Sequence, residues 1–205
     1  IHDHLFPSGN TMLQMFNKMP EQLLNEREKA LKNVVRLDIF GFRKNAMIDG
    51  ALIGPEIKNI QQLTPGEDYL LEVVIRTTAL GHKLTGGTVD SNQLWLNTRV
   101  SYKDEQGTHI LAESGKIDPV TAKIDNYSHF VNAYLLDKKG NKIERRNVED
   151  IFVALYNNQI PPGAADVVHY KLKLPNTKIS QLTVESQLNY RKFSIDLLQA
   201  SGVHI

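Results

Sequence analysis

The chain has 205 residues, enough for one domain, or a domain with an N-terminal appendage, to bury a full hydrophobic core without disulfide or metal support. Lys and Arg number 24 against 23 Asp and Glu, a formal net charge of +1 with the two signs interspersed, which argues against a general nucleic-acid binder. Cysteine is absent, so thiol catalysis, Cys-ligated zinc, Fe–S clusters and covalent haem attachment are excluded within these residues, and no apolar run approaches the ~20 residues of a membrane-spanning helix.

Ile1 stands where an initiator Met would, and no charged n-region with an apolar h-region follows, so the expectation is a processed or excised piece of a larger protein. Residues 1–32 differ from the rest and read as a loop and helical segment linking to an upstream region. Leu5–Asn10 is loop chemistry, and Thr11–Phe16 suits a short helix ending before Pro20. Pro20 fits the first turn of a second helix, where its missing N–H costs nothing. Glu21 to Lys32 then carries good helix formers, acidic early and basic late, in keeping with the helix dipole.

From Asn33 the period changes to two. Val35, Leu37 and Ile39 alternate with polar residues, as do Leu71, Val73 and Ile75; Leu94, Leu96, Thr98, Val100 and Tyr102; Val168, Tyr170, Leu172 and Leu174; and Leu182, Val184, Leu188 and Tyr190. Five half-buried strands follow from this pattern. Asp104–Gly107 and Asp137–Asn141 read as hairpin loops, while Phe130–Leu136 and Ile151–Tyr156, apolar on both faces, read as central strands. With no helices between strands, the predicted fold is mainly β: an antiparallel immunoglobulin-like β-sandwich over residues 33–205, with helix confined mainly to the short N-terminal segment. Leu63-Thr64-Pro65-Gly66 and Ile160-Pro161-Pro162-Gly163 each precede an alternating strand, as where such a sandwich turns a corner into an edge strand, although two unrelated proline turns give the same string.

Seven histidines are the main candidates for chemistry. His2 and His4 flank Asp3 in a segment too polar for a core; neutral imidazoles there suit a metal or haem iron with Asp3 orienting a ring, and a solvated tail or a tag remnant gives the same composition. The segment Leu80–Asn92, containing His82, Gly86, Gly87 and Asp90-Ser91-Asn92, reads as a tight loop whose backbone closely approaches a ligand or another part of the chain. It matches neither a phosphate loop nor an EF-hand. His169 falls on the polar phase of its strand and is expected to face solvent; His109 follows a hairpin turn, His129 begins an apolar strand and His204 lies in the C-terminal tail. No His-x-x-x-His zinc spacing and no Gly-x-Ser-x-Gly elbow occurs, so no enzyme activity is expected of the chain by itself.

Taken in order, Asp3-His4, Asp38–Gly41, Leu80–Asn92, Ser128-His129-Phe130, Arg145-Arg146-Asn147, Ile160–Ala165 and Asn189–Phe193 form a series that resembles the non-haem, β-rich region of multihaem c-type cytochromes, which often also carry tetratricopeptide repeats. The resemblance runs over nearly the whole chain. It implies an accessory domain of an exported electron-transfer protein, periplasmic or extracellular, that packs against the haem-bearing region of the same parent and meets a redox partner protein. It also implies haem c in the parent, though none bound covalently by this chain, which lacks Cys-x-x-Cys-His. The family's haem segments often run into an Asp-His dipeptide whose imidazole is a distal axial ligand, and this implies that role for His4; for His82 it implies axial ligation or packing at a haem edge. An independent immunoglobulin-like binding or adhesion module, recognising a protein or glycan through its loops, is the alternative reading.

Overall fold

The computed structural model describes residues 17–54 and 63–202. The helix expected over Thr11–Phe16 lies outside those residues, as do His2, His4 and His204. Helix α1, Glu21–Leu31, starts immediately after Pro20. Leu23 and Leu24 are half-buried and Leu31 is exposed, so propensity and the first-turn acid, more than packing, account for it.

Ten strands follow. β1 (Val35–Lys44), β2 (Leu52–Ile53), β3 (Asp68–Thr77) and β9 (Ala165–Lys173) form one antiparallel sheet in the order β2-β1-β3-β9. β10 (Gln181–Arg191), β4 (Gln93–Asp104) and β5 (Gly107–Ser114) form the second, and the two-residue β6 (His129–Phe130) pairs with Trp95 and Leu96 of β4. The sheets share one core: Tyr69, Leu71, Val73 and Ile75 of β3 pack in the same cluster as Leu94, Leu96 and Val100 of β4, with Phe42, Val168 and Leu172 alongside. Each such buried side chain contributes roughly 1.5–3 kcal/mol relative to exposure, which makes this cluster the main source of stability. The expectation of a mainly β, antiparallel fold with a short N-terminal helix agrees with this architecture. All five alternating segments are strands, and Asp104–Gly107 is the β4–β5 hairpin, its turn held by Asp104 Oδ1 accepting from the Gln106 and Gly107 amides.

Three features depart from expectation. Phe130–Leu136 and Ile151–Tyr156 are not central strands. Phe130 pairs with β4 and the Val131 amide donates to the Leu94 carbonyl of β4 at 2.9 Å, but β7 (Ala133–Leu136) and β8 (Val153–Asn157) pair with each other as a separate two-stranded ribbon. Every residue of β8 is exposed, and Phe152 and Leu155 are each 63% exposed, so apolarity on both faces did not mean a neighbour on both sides. The two Pro-Gly turns do lead into strands, β3 and β9, that pair with each other; β9 is an edge, but β3 lies inside its sheet between β1 and β9. Last, residues 195–200 form a second helix, α2 (Ile195–Ala200), beyond the N-terminal segment. Its signals are local: Ser194 Oγ caps the Leu197 amide at 3.1 Å, Asp196 sits in the first turn, and Gly202 takes a positive φ just past the end.

The outer face of the first sheet holds an ion cluster. Glu72, only 4% exposed, accepts from Arg43 Nε at 2.7 Å and from His169 Nε2 at 3.0 Å, which is how β1, β3 and β9 are tied side to side at their middle. His169 is on the outer face as its phase predicts, but its ring is engaged by this carboxylate. Burial by itself raises the Glu72 pKa, yet the hydrogen bonds and charges of Arg43 and His169 outweigh it and hold the carboxyl below its ordinary 4.5. A carboxylate with a depressed folded pKa stabilises the fold above the unfolded value and loses that contribution as pH falls through the folded pKa. Glu72→Gln is therefore expected to cost about 2–3 kcal/mol at pH 7 in urea unfolding, the magnitude of a lost charge-assisted hydrogen bond. The gap between variant and wild type narrows as pH drops below 4.5.

Candidate functional site

Three of the four described histidines are tied to carboxylates. His169 holds Glu72. His129 Nε2 donates to Asp166 at 2.7 Å, a bond that, with the ring's charge, keeps the Asp166 carboxyl below the usual carboxylate range despite partial burial. His109 Nε2 donates to Asp104 at 3.1 Å and stacks on Tyr102, with ring centroids 5.0 Å apart. These rings brace strands. His82 differs: it is exposed, and no carboxylate pairs with it among the described residues.

The His82 ring is nonetheless held. Its Nδ1 lies 2.8 Å from the Lys83 carbonyl oxygen, and because a carbonyl only accepts, Nδ1 carries the proton in that bond. In the neutral ring the lone pair then resides on Nε2, the arrangement by which a backbone carbonyl sets the tautomer of a metal-ligating imidazole. Gly86 makes room for this pose. A Cβ there would sit 2.7 Å from His82 Cε1 and 3.0 Å from Nδ1, closer than such atoms pack.

The rest of the Leu80–Asn92 segment is the crossing from β3 in one sheet to β4 in the other, and its closest approaches are to the chain itself. Leu84 and Ile160 exchange both backbone bonds, at 2.9 and 2.8 Å. Thr85 and Asn92, both buried, share a side-chain bond at 3.3 Å; Asn92 Nδ2 donates to the Gly86 carbonyl at 3.2 Å, and Gln159 Nε2 donates to that of Thr85. Ser91, fully buried, accepts through its carbonyl from the Ser194 amide at 2.7 Å, and its Oγ lies 2.9 Å from Arg146 Nε. The Arg146 amide donates to Asp90 at 2.8 Å, and its guanidinium lies 5.2 Å from the Phe193 ring centre. So segments far apart in sequence, 84–92, 145–147, 159–160 and 193–194, form one knot at an end of the sandwich, with His82 at its surface. Arg146 was singled out only as part of a motif; its role as the clasp is not legible from a lone basic residue.

Of the two predicted haem-contact residues, His4 lies outside the described residues, so its placement relative to His82 is not described. Among the described residues no group of three or more His, Asp or Glu is arranged to hold a metal ion. With no cysteine, the chain attaches no haem c covalently, and no described helix is long and apolar enough to cross a membrane.

No protein-family model matches the sequence, and no curated protein does. A penta-heme cytochrome c552 from Thermochromatium tepidum is similar in structure, with 15% sequence identity, a TM-score of 0.49, and an alignment covering 84% of this chain and 36% of that one. The chain thus spans about a third of that protein's length. A likeness this distant assigns neither family nor site.

If Arg146 is the clasp of the knot, Arg146→Ala is expected to cost about 1–2 kcal/mol by loss of the Ser91 hydrogen bond and the Phe193 contact. Amide hydrogen exchange would localise the effect: protection at Ser91 and Asn92 falls, while that of the β3 and β4 core amides follows only the global stability.

Proposed function

We propose that this chain is an accessory, non-catalytic domain of an exported, periplasmic or extracellular, multihaem cytochrome, packing against the haem region of its parent and presenting imidazoles to it. The observation that carries the reading is His82: exposed, free of any carboxylate among the described residues, and held at Nδ1 so that Nε2 keeps its lone pair. It lies in the longest motif of the resemblance, and the motifs around Arg146, Ile160 and Phe193 are the ones knotted beneath that loop.

The residues present fit a haem held by another region and not one held here, since the chain has no thiol to attach it and its other three described histidines are engaged by carboxylates. Haem bound in the parent supplies one-electron transfer at its iron. This chain's part is to hold and orient. Lys83 fixes the His82 tautomer, Gly86 keeps space beside the ring, and His4, in the polar segment of residues 1–4, is the second imidazole the reading assigns. The absence of any nucleophile–base pair in the sequence motifs supports a domain without catalysis of its own. The alternative, an independent immunoglobulin-like binding or adhesion module recognising a protein or glycan, is favoured by one observation, a cleft beside the β7–β8 ribbon whose lining includes Asn126, Ser128, Asn132, Tyr134 and Tyr156.

In the intact parent, His4→Ala is expected to convert one low-spin haem to high spin by electron paramagnetic resonance. His82→Ala has a smaller effect on spin and mainly shifts a potential or loosens docking, and Gly86→Ala, which displaces the ring while keeping it, gives the same phenotype in weaker form. A parent reading frame lacking Cys-x-x-Cys-His ahead of Ile1, or spectra unchanged in both histidine variants, removes the reading. The purified chain alone is expected to lack a Soret band and to turn over neither ester nor phosphate substrates; stoichiometric haem on it would overturn the assignment.

A further inference from the structure

A cleft of about 350 Å³ opens where the β7–β8 ribbon, the β5–β6 connection and the start of α2 meet. Its size is at the low end of small-ligand sites. Its lining includes the polar side chains of Asn126, Ser128 and Asn132 together with Tyr134 and Tyr156, whose ring centres are 5.4 Å apart and tilted by 34°. Ser128 Oγ and Asn132 Oδ1 are buried without a hydrogen-bond partner, polar atoms in a place where native structures rarely leave them unpaired.

The charges of the cleft neutralise one another. Asp196 lies 3.8 Å from Lys123 Nζ and 3.9 Å from Lys142 Nζ, and Lys142 also reaches Glu144 at 3.2 Å. Asp90 accepts from the Arg146 amide. These pairs are partly exposed, but both lysines already face carboxylates and the lining carries two carboxylates of its own, Asp90 and Asp196, so the cleft offers an anion no unmatched cation among its lining residues. An apolar ligand would strip water from amides and hydroxyls and give them nothing in return. What remains is a neutral molecule rich in groups that both donate and accept, matching Asn and Ser side chains, with an apolar C–H face to lie against the exposed Tyr156, since Lys142 Nζ already lies 5.6 Å over the Tyr134 ring.

We propose that this cleft binds a short neutral saccharide. Neither the haem reading nor its failure bears on it, because the lining of the cleft includes neither His82 nor Gly86. The ribbon's exposure then has a use: it is the aromatic wall of a binding site rather than a strayed piece of core.

The test is the 205-residue chain on a glycan array carrying neutral and acidic saccharides, followed by titration calorimetry with the best free ligand. Binding of a neutral saccharide in the range of about 0.01–1 mM is expected. Tyr156→Ala is expected to weaken it tenfold or more, and Asn126→Ala, an exposed residue of the polar lining, severalfold. Leu155→Ala, a neighbour on β8 outside the cleft, leaves it unchanged. Silence toward every neutral saccharide overturns the proposal, as does binding confined to sialylated or sulfated glycans, or binding that survives both Tyr156→Ala and Asn126→Ala.

Discussion

The fold depends on β3 and β4 burying their apolar faces against each other from different sheets. Consecutive strands that pair can be joined by a tight turn, but consecutive strands on opposite sheets require a crossing at the end of the sandwich. Residues 78–92 are that crossing. Their conformation follows from the core: once Ile75 and Leu94 are both buried, the chain between them must pass over the edge of the hydrophobic layer with its polar groups satisfied. Thr85, Ser91 and Asn92 are buried for this reason, and each is satisfied within the knot: Thr85 by Gln159, Ser91 by Arg146 and Ser194, and Asn92 by Thr85 and Gly86. The exposed His82 is therefore carried on a heavily braced loop, which reduces the ordering cost of any contact it makes.

A second constraint is how the fold uses its charged side chains. The middle strand β3 is buried on both faces, yet Glu72 sits at its centre. An isolated carboxylate there would be expensive, and pairing with Arg43 on one neighbouring strand and His169 on the other converts that cost into lateral registration of the sheet. The same logic pairs His129 with Asp166 and His109 with Asp104, so the four described histidines, which look interchangeable in sequence, divide into three held by carboxylates and His82, which is not.

Period-two alternation made β1, β3, β4, β9 and β10 legible because each has one face on the shared core and one outside it. It failed for Phe130–Leu136 and Ile151–Tyr156, where continuous apolarity signals burial only if the segment has partners at both edges, and a two-stranded ribbon does not. The capped helix after Ser194 had its signals in place, Ser194, Asp196 and Gly202, but they were overshadowed by the strand pattern just before them. At the site, the glycines around His82 were legible as a place of close approach. The approached group is the His82 ring itself, four residues away, whereas the closure of the loop by Arg146, Gln159 and Ser194 depends on contacts across more than fifty residues of chain, which local pattern does not encode.

The sandwich's two candidate surfaces are linked through one short stretch. Asp90 and Asn92 line the cleft, while Asn92 also bonds the Gly86 carbonyl, next in space to the His82 ring. An occupant pressing on Asn92 thus acts on the residue that holds the His82 loop closed, and the path is a chain of named hydrogen bonds rather than mere proximity. Whether such coupling carries free energy turns on Asn92 having two arrangements. Its side chain here has both a donor and an acceptor engaged, by Gly86 and Thr85, so any ligand that competes for either must break a bond in a buried site. That cost favours a rigid junction: the two surfaces share a foundation, and ligation at one leaves the other in place.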